Sequence, residues 1–128
     1  MSDYNSTKNC VVWCDIPVAD LERACAFYAA VLANNVQPEE HDGRRFAVLD
    51  HEDGNGACLF LEPDHIAGNG GLLVYFNVNG RIRDAVAKVQ SAGGEVLEPM
   101  HAIGPFGFRV VVLDSEGNRI ALHSNSDA

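Results

Sequence analysis

The apolar and polar positions of this 128-residue chain fall into one pattern that is read through twice. Cys10–Ile16 is a β-branched and aromatic run that predicts a strand, ended by Pro17. Leu21, Ala24, Cys25, Tyr28 and Leu32 recur at helical spacing and give one apolar face. Asp20 is placed to cap that helix, with Glu22 in its first turn. Asn34-Asn35 ends it, because Asn tolerates a left-handed backbone. Val36–Glu40 reads as a short strand and Asp42-Gly43 as a hairpin turn. Arg45–Asp50 and Ala57–Glu62 read as strands joined through Asp53-Gly54-Asn55-Gly56.

After Pro63–Gly71, a Gly-rich stretch with Asn and Asp, the same order returns. Leu72–Val78 predicts a strand. Ile82, Ala85, Val86, Val89 and Ala92 mark a helix that Gly93-Gly94 stops. Glu95–Pro99 is a strand, Met100–Gly107 a loop, and Phe108–Leu113 with Arg119–Ser124 a final hairpin. Val18 falls opposite Val78, Arg23 opposite Arg83 and Val36 opposite Val96. Val48-Leu49-Asp50 is echoed by Val112-Leu113-Asp114. The repeat outranks any single residue in deciding the fold. It gives βαβββ twice, an α+β arrangement. The boundaries are an N-terminal arm 1–9, a first module 10–62, a linker 63–71, a second module 72–124 and a tail 125–128, all within one compact domain.

Composition narrows the function. Apolar residues make up 47%, in the globular range. The net charge of −9 with nine basic residues argues against nucleic acid and against anionic membrane surfaces as partners. No apolar run approaches the roughly 18 residues of a membrane span. Met1–Asn9 lacks the basic-then-apolar order of a signal peptide, so the expected location is cytoplasmic. Cys10, Cys14, Cys25 and Cys58 then read as reduced thiols, and Cys10-x-x-x-Cys14 is not a zinc spacing.

Several motifs together resemble one superfamily. They are Trp13-Cys14-Asp15-Ile16-Pro17-Val18-Ala19-Asp20-Leu21-Glu22-Arg23-Ala24, Phe27-Tyr28, Ala92-Gly93-Gly94 and Leu113-Asp114-Ser115-Glu116-Gly117-Asn118-Arg119-Ile120. From Cys10 to Ser124 the chain resembles the vicinal oxygen chelate superfamily: glyoxalase I, bleomycin-resistance proteins, extradiol dioxygenases and fosfomycin-resistance enzymes. Ile16-Pro17-Val18 and the Leu122-His123-Ser124 ending are similar to a subgroup of uncharacterised glyoxalase-related proteins. The resemblance implies two tandem βαβββ modules forming a curved eight-stranded mixed sheet around a cleft, with helices outside. It also implies a homodimer and a small-molecule ligand.

Metal-dependent members of this superfamily carry His, Gln or Glu on the first and last strands of each half. Mapped by motif spacing, those positions fall here on Trp13, Leu73, Ala121 and Phe60, or on Cys58 with a different gap. None of the first four side chains is a metal ligand, and Cys58 stands alone. The expectation is therefore no metal and no cofactor. His41, His51, His65 and His101 read as solvated histidines of turns and linker, and Asp50–Asn55 as a solvated hairpin.

Strand alternation places Trp13, Asp15, Phe60, Glu62, Leu73, Tyr75, Asn77 and His123 on one face. The candidate ligand-binding residues are Trp13, Phe60, Tyr75, Asn77, Phe106, Arg109 and His123: aromatic walls with a few polar handles. Gly104-Pro105-Phe106-Gly107 reads as a flap or a plain loop, and Arg109 as an anion contact or the partner of a surface acid. His123, Asp15 and Glu62 are the catalytic candidates. Three functions stay open at this stage. One is metal-independent binding of an unidentified small molecule. Another is a lyase or isomerase, and the last is a dimeric interaction module with a packed cleft.

Overall fold

The computed structural model describes residues 11–68 and 70–128. The expectations for the arm 1–9 and for Cys10 fall outside the described residues. The first module consists of β1 (Asp15–Val18), α1 (Leu21–Leu32), β2 (Glu39–His41), β3 (Arg44–Val48) and β4 (Cys58–Leu61). The second consists of β5 (Val74–Asn77), α2 (Ile82–Ser91), β6 (Glu95–Ala102), β7 (Phe108–Leu113) and β8 (Arg119–Ser124). Each module folds into a four-stranded sheet of the same order, β1-β4-β3-β2 and β5-β8-β7-β6. In each, the first strand runs parallel to the last and the other pairs are antiparallel. The eight strands of the α+β expectation are present, divided between two sheets rather than hydrogen-bonded into one among the described residues.

Local differences from the sequence reading have physical causes. Pro17 does not end the first strand: β1 runs through it to Val18. It lies on the edge of its sheet, where a missing N–H leaves no partner unsatisfied. Helix α1 ends at Leu32, two residues before Asn34. Ala33 takes the left-handed conformation (φ 51°, ψ 51°), and its amide and that of Asn34 both donate to Ala29 O. Strand β6 continues through Pro99 to Ala102, past the expected end. It too is an edge strand, and two shifts of register absorb the proline. Pro63–His65 and Gly104–Phe106 form short 3-10 turns within the expected linker and loop.

The helices pack on each other and each on its own sheet. Ile16, Val18, Ala47 and Leu59 of the first sheet, and Phe76, Val110, Val112, Ile120 and Leu122 of the second, join Leu21, Phe27, Tyr28, Ile82 and Val89 in one buried cluster. The alternate residues of the same strands point to the sheet faces that carry no helix. Gly94 sits where the chain leaves α2 for β6. A Cβ there would lie 2.6 Å from Leu113 O and 2.7 Å from the Phe27 ring, so the close packing of the modules needs glycine.

A polar lock joins the modules. Tyr28 Oη donates to Asp114 Oδ2 at 2.6 Å, and both residues are buried. Asp114 also accepts from the amides of Glu116 and Asn118, and Asn118 Nδ2 donates to Pro17 O. Glu116, whose side chain is fully covered, accepts from the amides of Ala19 and Asp20 and from Arg23. Burial drives the Glu116 carboxyl upward. The hydrogen bonds from Arg23, the two amides and Ser115 outweigh it and bring its pKa down to about 2. Burial, with the Asp114 carboxylate beside it, pushes the Tyr28 phenol well above its ordinary range.

Replacing Tyr28 with Phe removes one hydrogen bond from a buried carboxylate and is expected to lower unfolding free energy by about 1–3 kcal/mol in urea melts. The Glu116 contribution has a defined pH window. Its folded pKa is depressed from an ordinary 4.5 to about 2, so its stabilisation is complete above about 4.5 and is lost as pH falls through about 2. The stability difference between the natural chain and Glu116→Gln should therefore be largest near neutrality and shrink steadily below pH 4.5. A difference independent of pH would show that the carboxylate charge is not what stabilises the turn.

Candidate functional site

The helix-free face of the second sheet carries a connected polar cluster. Cross-strand register puts His101 opposite Arg109, Arg109 opposite His123, and His123 opposite Asn77. Tyr75 stands two residues before Asn77, opposite Ala121. Arg109 Nη1 donates to Tyr75 Oη at 2.5 Å and Nε donates to His101 Nε2 at 3.0 Å. The guanidinium also lies 5.9 Å from the centre of the Tyr75 ring, and the rings of Tyr75 and His123 are 6.4 Å apart. His101 Nδ1 lies 2.9 Å from Pro99 O. A carbonyl only accepts, so Nδ1 carries the proton and Nε2 of the neutral ring receives the Arg109 hydrogen. The same logic makes His123 Nε2 the donor to Phe106 O at 2.7 Å.

That last bond ties the 3-10 turn carrying Phe106 to the end of β8. Gly107 makes the approach possible: its φ is 97°, and a Cβ there would lie 2.5 Å from Ser124 O. The Phe106 side chain is itself 73% exposed, so the turn is held down by its backbone and its ring projects into solvent.

The first sheet presents a different surface. Phe46 and Phe60 pack with their rings 5.8 Å apart, and Arg44 lies 4.9 Å from the centre of the Phe60 ring. Glu62 binds Arg44 at 3.2 Å and His65 at 2.9 Å. Asp15, Phe60, Glu62 and His65 line a recess of about 230 Å³. A larger groove, about 500 Å³, runs along β5, with Trp13, His51, Tyr75 and Asn77 among its walls. Trp13 meets His51 edge to face at 5.6 Å and donates from Nε1 to Asp15 Oδ1 at 3.1 Å.

The residues singled out by sequence thus fall into two neighbourhoods. Trp13, Tyr75 and Asn77 share the large groove, and Tyr75 connects it to Arg109, His123 and, through His123, to Phe106. Phe60, Glu62 and Asp15 share the smaller recess. The catalytic candidates are divided: Asp15 and Glu62 lie in that recess, while His123 is bonded to Phe106 O on the other sheet. His101 is corrected. It is not a loop histidine but a member of β6 bonded to Arg109. The bulged register of β6, which Pro99 masks in the sequence, hid it. His51, expected in a solvated hairpin, is half-buried against Trp13.

The donor set does not fit a catalytic metal of the superfamily type. Asp15 pairs with Cys58 as Tyr75 pairs with Ala121, so Cys58 rather than Phe60 is the structural counterpart of Ala121. Burial, reinforced by the Asp15 carboxylate, pushes the Cys58 thiol up to about 12, and one thiol beside one carboxylate falls short of the three or four ligands such an ion needs. The Cys58 Sγ lies 3.8 Å from Asp15 Oδ1. Among the described residues no group of three or more His, Cys, Asp or Glu is arranged to hold an ion. No helix there is long and apolar enough to cross a membrane.

Comparison with known proteins places this geometry in a family. A structure of the glyoxylase/bleomycin resistance protein/dioxygenase domain from Frankia sp. EAN1pec is similar at 19% identity, with a TM-score of 0.69 over 95% of this chain and 96% of that one. A glyoxalase-related enzyme from Fulvimarina pelagi is similar at 21% identity, TM-score 0.65, over 90% and 87%. A genomically encoded fosfomycin resistance protein from Listeria monocytogenes is similar at 12% identity, TM-score 0.68, over 91% and 93%. At these identities the likeness is one of fold. A search of curated proteins finds no significant match. The family model for the glyoxalase/bleomycin resistance protein/dioxygenase superfamily matches residues 11–122. With that match spanning nearly the whole chain and two βαβββ modules beneath it, the protein belongs to the glyoxalase/bleomycin resistance protein/dioxygenase superfamily, the vicinal oxygen chelate fold.

Proposed function

We propose that this protein binds a small organic molecule at the Tyr75 side of its second sheet, and does so without a metal ion. The observation that carries this reading is the position of Tyr75. It is 47% exposed and belongs at once to the 500 Å³ groove walled by Trp13 and to the polar cluster of Arg109 and His123. A concave aromatic surface with a few fixed polar groups is the usual make-up of a small-molecule site. The donor set supports metal independence: Leu73 and Ala121 stand at the second-sheet ligand positions, and Cys58 is the single donor at the first-sheet ones. Turnover finds less support, because Asp15 and Glu62 share a recess apart from His123.

The assembly we favour is a homodimer. Strands β1 and β5 are both edge strands of their sheets among the described residues, and sheet edges invite pairing. The cytoplasm suits the chain, since Cys14, Cys25 and Cys58 are free thiols.

Two measurements test the reading. Elemental analysis of untagged protein purified without chelators should find metal near zero per chain, and added divalent ions should leave the melting temperature unchanged. One ion per chain or per dimer would overturn metal independence. Trp13 is the sole tryptophan, so its fluorescence reports on the groove without labelling. Small aromatic compounds that bind should shift that emission in the presence of EDTA. A library that shifts neither Trp13 emission nor Tyr75 resonances would indicate a packed cleft instead.

A further inference from the structure

We propose that Arg109 and Tyr75 form a receptor for a carboxylate, so that the ligand of this site is a small organic acid. The inference rests on the small-molecule reading above and specifies its chemistry. The chain carries −9, a field that repels anions, so a cationic spot kept for an anion must be built locally. Arg23, Arg44, Arg45 and Arg81 each hold an acid with a nitrogen–oxygen distance of 3.2 Å or less. Arg109 does not. Its hydrogen-bond partners, Tyr75 Oη and His101 Nε2, are neutral, and its only acid among the described residues, Glu98, stands at 3.8 Å and is half exposed. Arg119 lies on the same face of β8 as Ala121 and His123 and makes no ion pair with a described residue.

The hydrogen-bond directions matter more than the charge. His101 is oriented by Pro99 O and takes the Nε hydrogen, and Tyr75 takes one Nη1 hydrogen. These bonds fix the guanidinium plane and leave Nη hydrogens unclaimed, since a guanidinium carries five. Tyr75 accepts from Arg109, so its own phenolic hydrogen remains to be donated. Asn77, on the same face, uses Oδ1 to accept from the Asn79 amide, and its side-chain NH₂ has no partner among the described residues. Guanidinium, phenol and amide donors therefore share one patch, with Glu98 beside Arg109 and Asp50 elsewhere in the lining of the Tyr75 groove. Such a patch suits an oxyanion, and the planar fork of a fixed guanidinium suits the two coplanar oxygens of a carboxylate.

The test is calorimetric titration of the full-length protein in EDTA with benzoate, the isosteric neutral benzamide, and phenylphosphonate. Benzoate should bind at least about tenfold more tightly than benzamide, because it offers the guanidinium fork a negative charge and two coplanar acceptors where the amide offers one neutral acceptor. Arg109→Gln should lose about tenfold or more of benzoate affinity, Tyr75→Phe a smaller factor, and Glu98→Gln should tighten binding. Benzamide, with one neutral acceptor, should lose less than benzoate in Arg109→Gln. Arg109→Lys, which keeps the charge without the fork, should fall between. Tyr75→Phe serves as the folded control should an Arg109 variant melt early. Equal affinity for benzoate and benzamide, or full affinity in Arg109→Gln, would overturn the carboxylate assignment while leaving a small-molecule site intact. Preference for phenylphosphonate would replace carboxylate by a tetrahedral anion. Binding that appears only when a divalent ion is added would overturn the metal-independent reading, and Arg109 dependence would still be read separately. No binding of any of the three would overturn the assignment.

Discussion

The structure depends on one buried carboxylate turn. Asp114 and Glu116, at the hairpin between β7 and β8, reach across to the other module. Asp114 receives the Tyr28 hydroxyl from the middle of α1, and Glu116 caps the amides that open that helix and binds Arg23. Two tandem units that each bury only one sheet face need each other to complete a core, and apolar contact alone does not fix their angle. Hydrogen bonds with directions do. Through this turn, β1, α1 and β8 take fixed relative positions, and the groove beside Trp13 and Tyr75 follows from that placement.

The repeat then diverges where function would need it to. Register equates Phe46 with Arg109, Phe60 with His123, and Asp15 with Tyr75. The helix-packing residues stay apolar in both halves, Ile16 and Val18 against Phe76 and Val78. The opposite faces separate: aromatic and acidic on the first sheet, donor-rich on the second. Core positions are held alike by packing, whereas the open faces are free to differ, and the difference locates the candidate site.

Most of the fold was legible because both of its signals are local. Helical spacing from Leu21 to Leu32 and from Ile82 to Val89 and the alternation within β4, β5, β7 and β8 predict the observed elements, and the duplication supplies the topology. What was not legible depends on edges and on partners distant in sequence. An edge strand tolerates Pro17 and Pro99, so the sequence reading broke strands that continue. His101 reaches Arg109 only through the bulged register of β6, and no spacing rule encodes that. Spacing left both Phe60 and Cys58 open as the counterpart of Ala121, because the hairpin length that decides between them is settled only by strand pairing. Same-face grouping of Tyr75, Asn77 and His123 was readable from period-two alternation; the donor directions that give the face its chemistry were not.

The most direct test of a metal-free ligand site on the second sheet is an amide and indole chemical-shift map. Small aromatic acids would be titrated into isotope-labelled protein in excess chelator. Shifts should concentrate at the Trp13 indole, Tyr75, Asn77, Arg109 and His123, with the Asp15, Phe60 and Glu62 recess little changed. Shifts that appear only after a divalent ion is supplied, or that centre on that recess instead, would contradict a metal-free site on the second sheet.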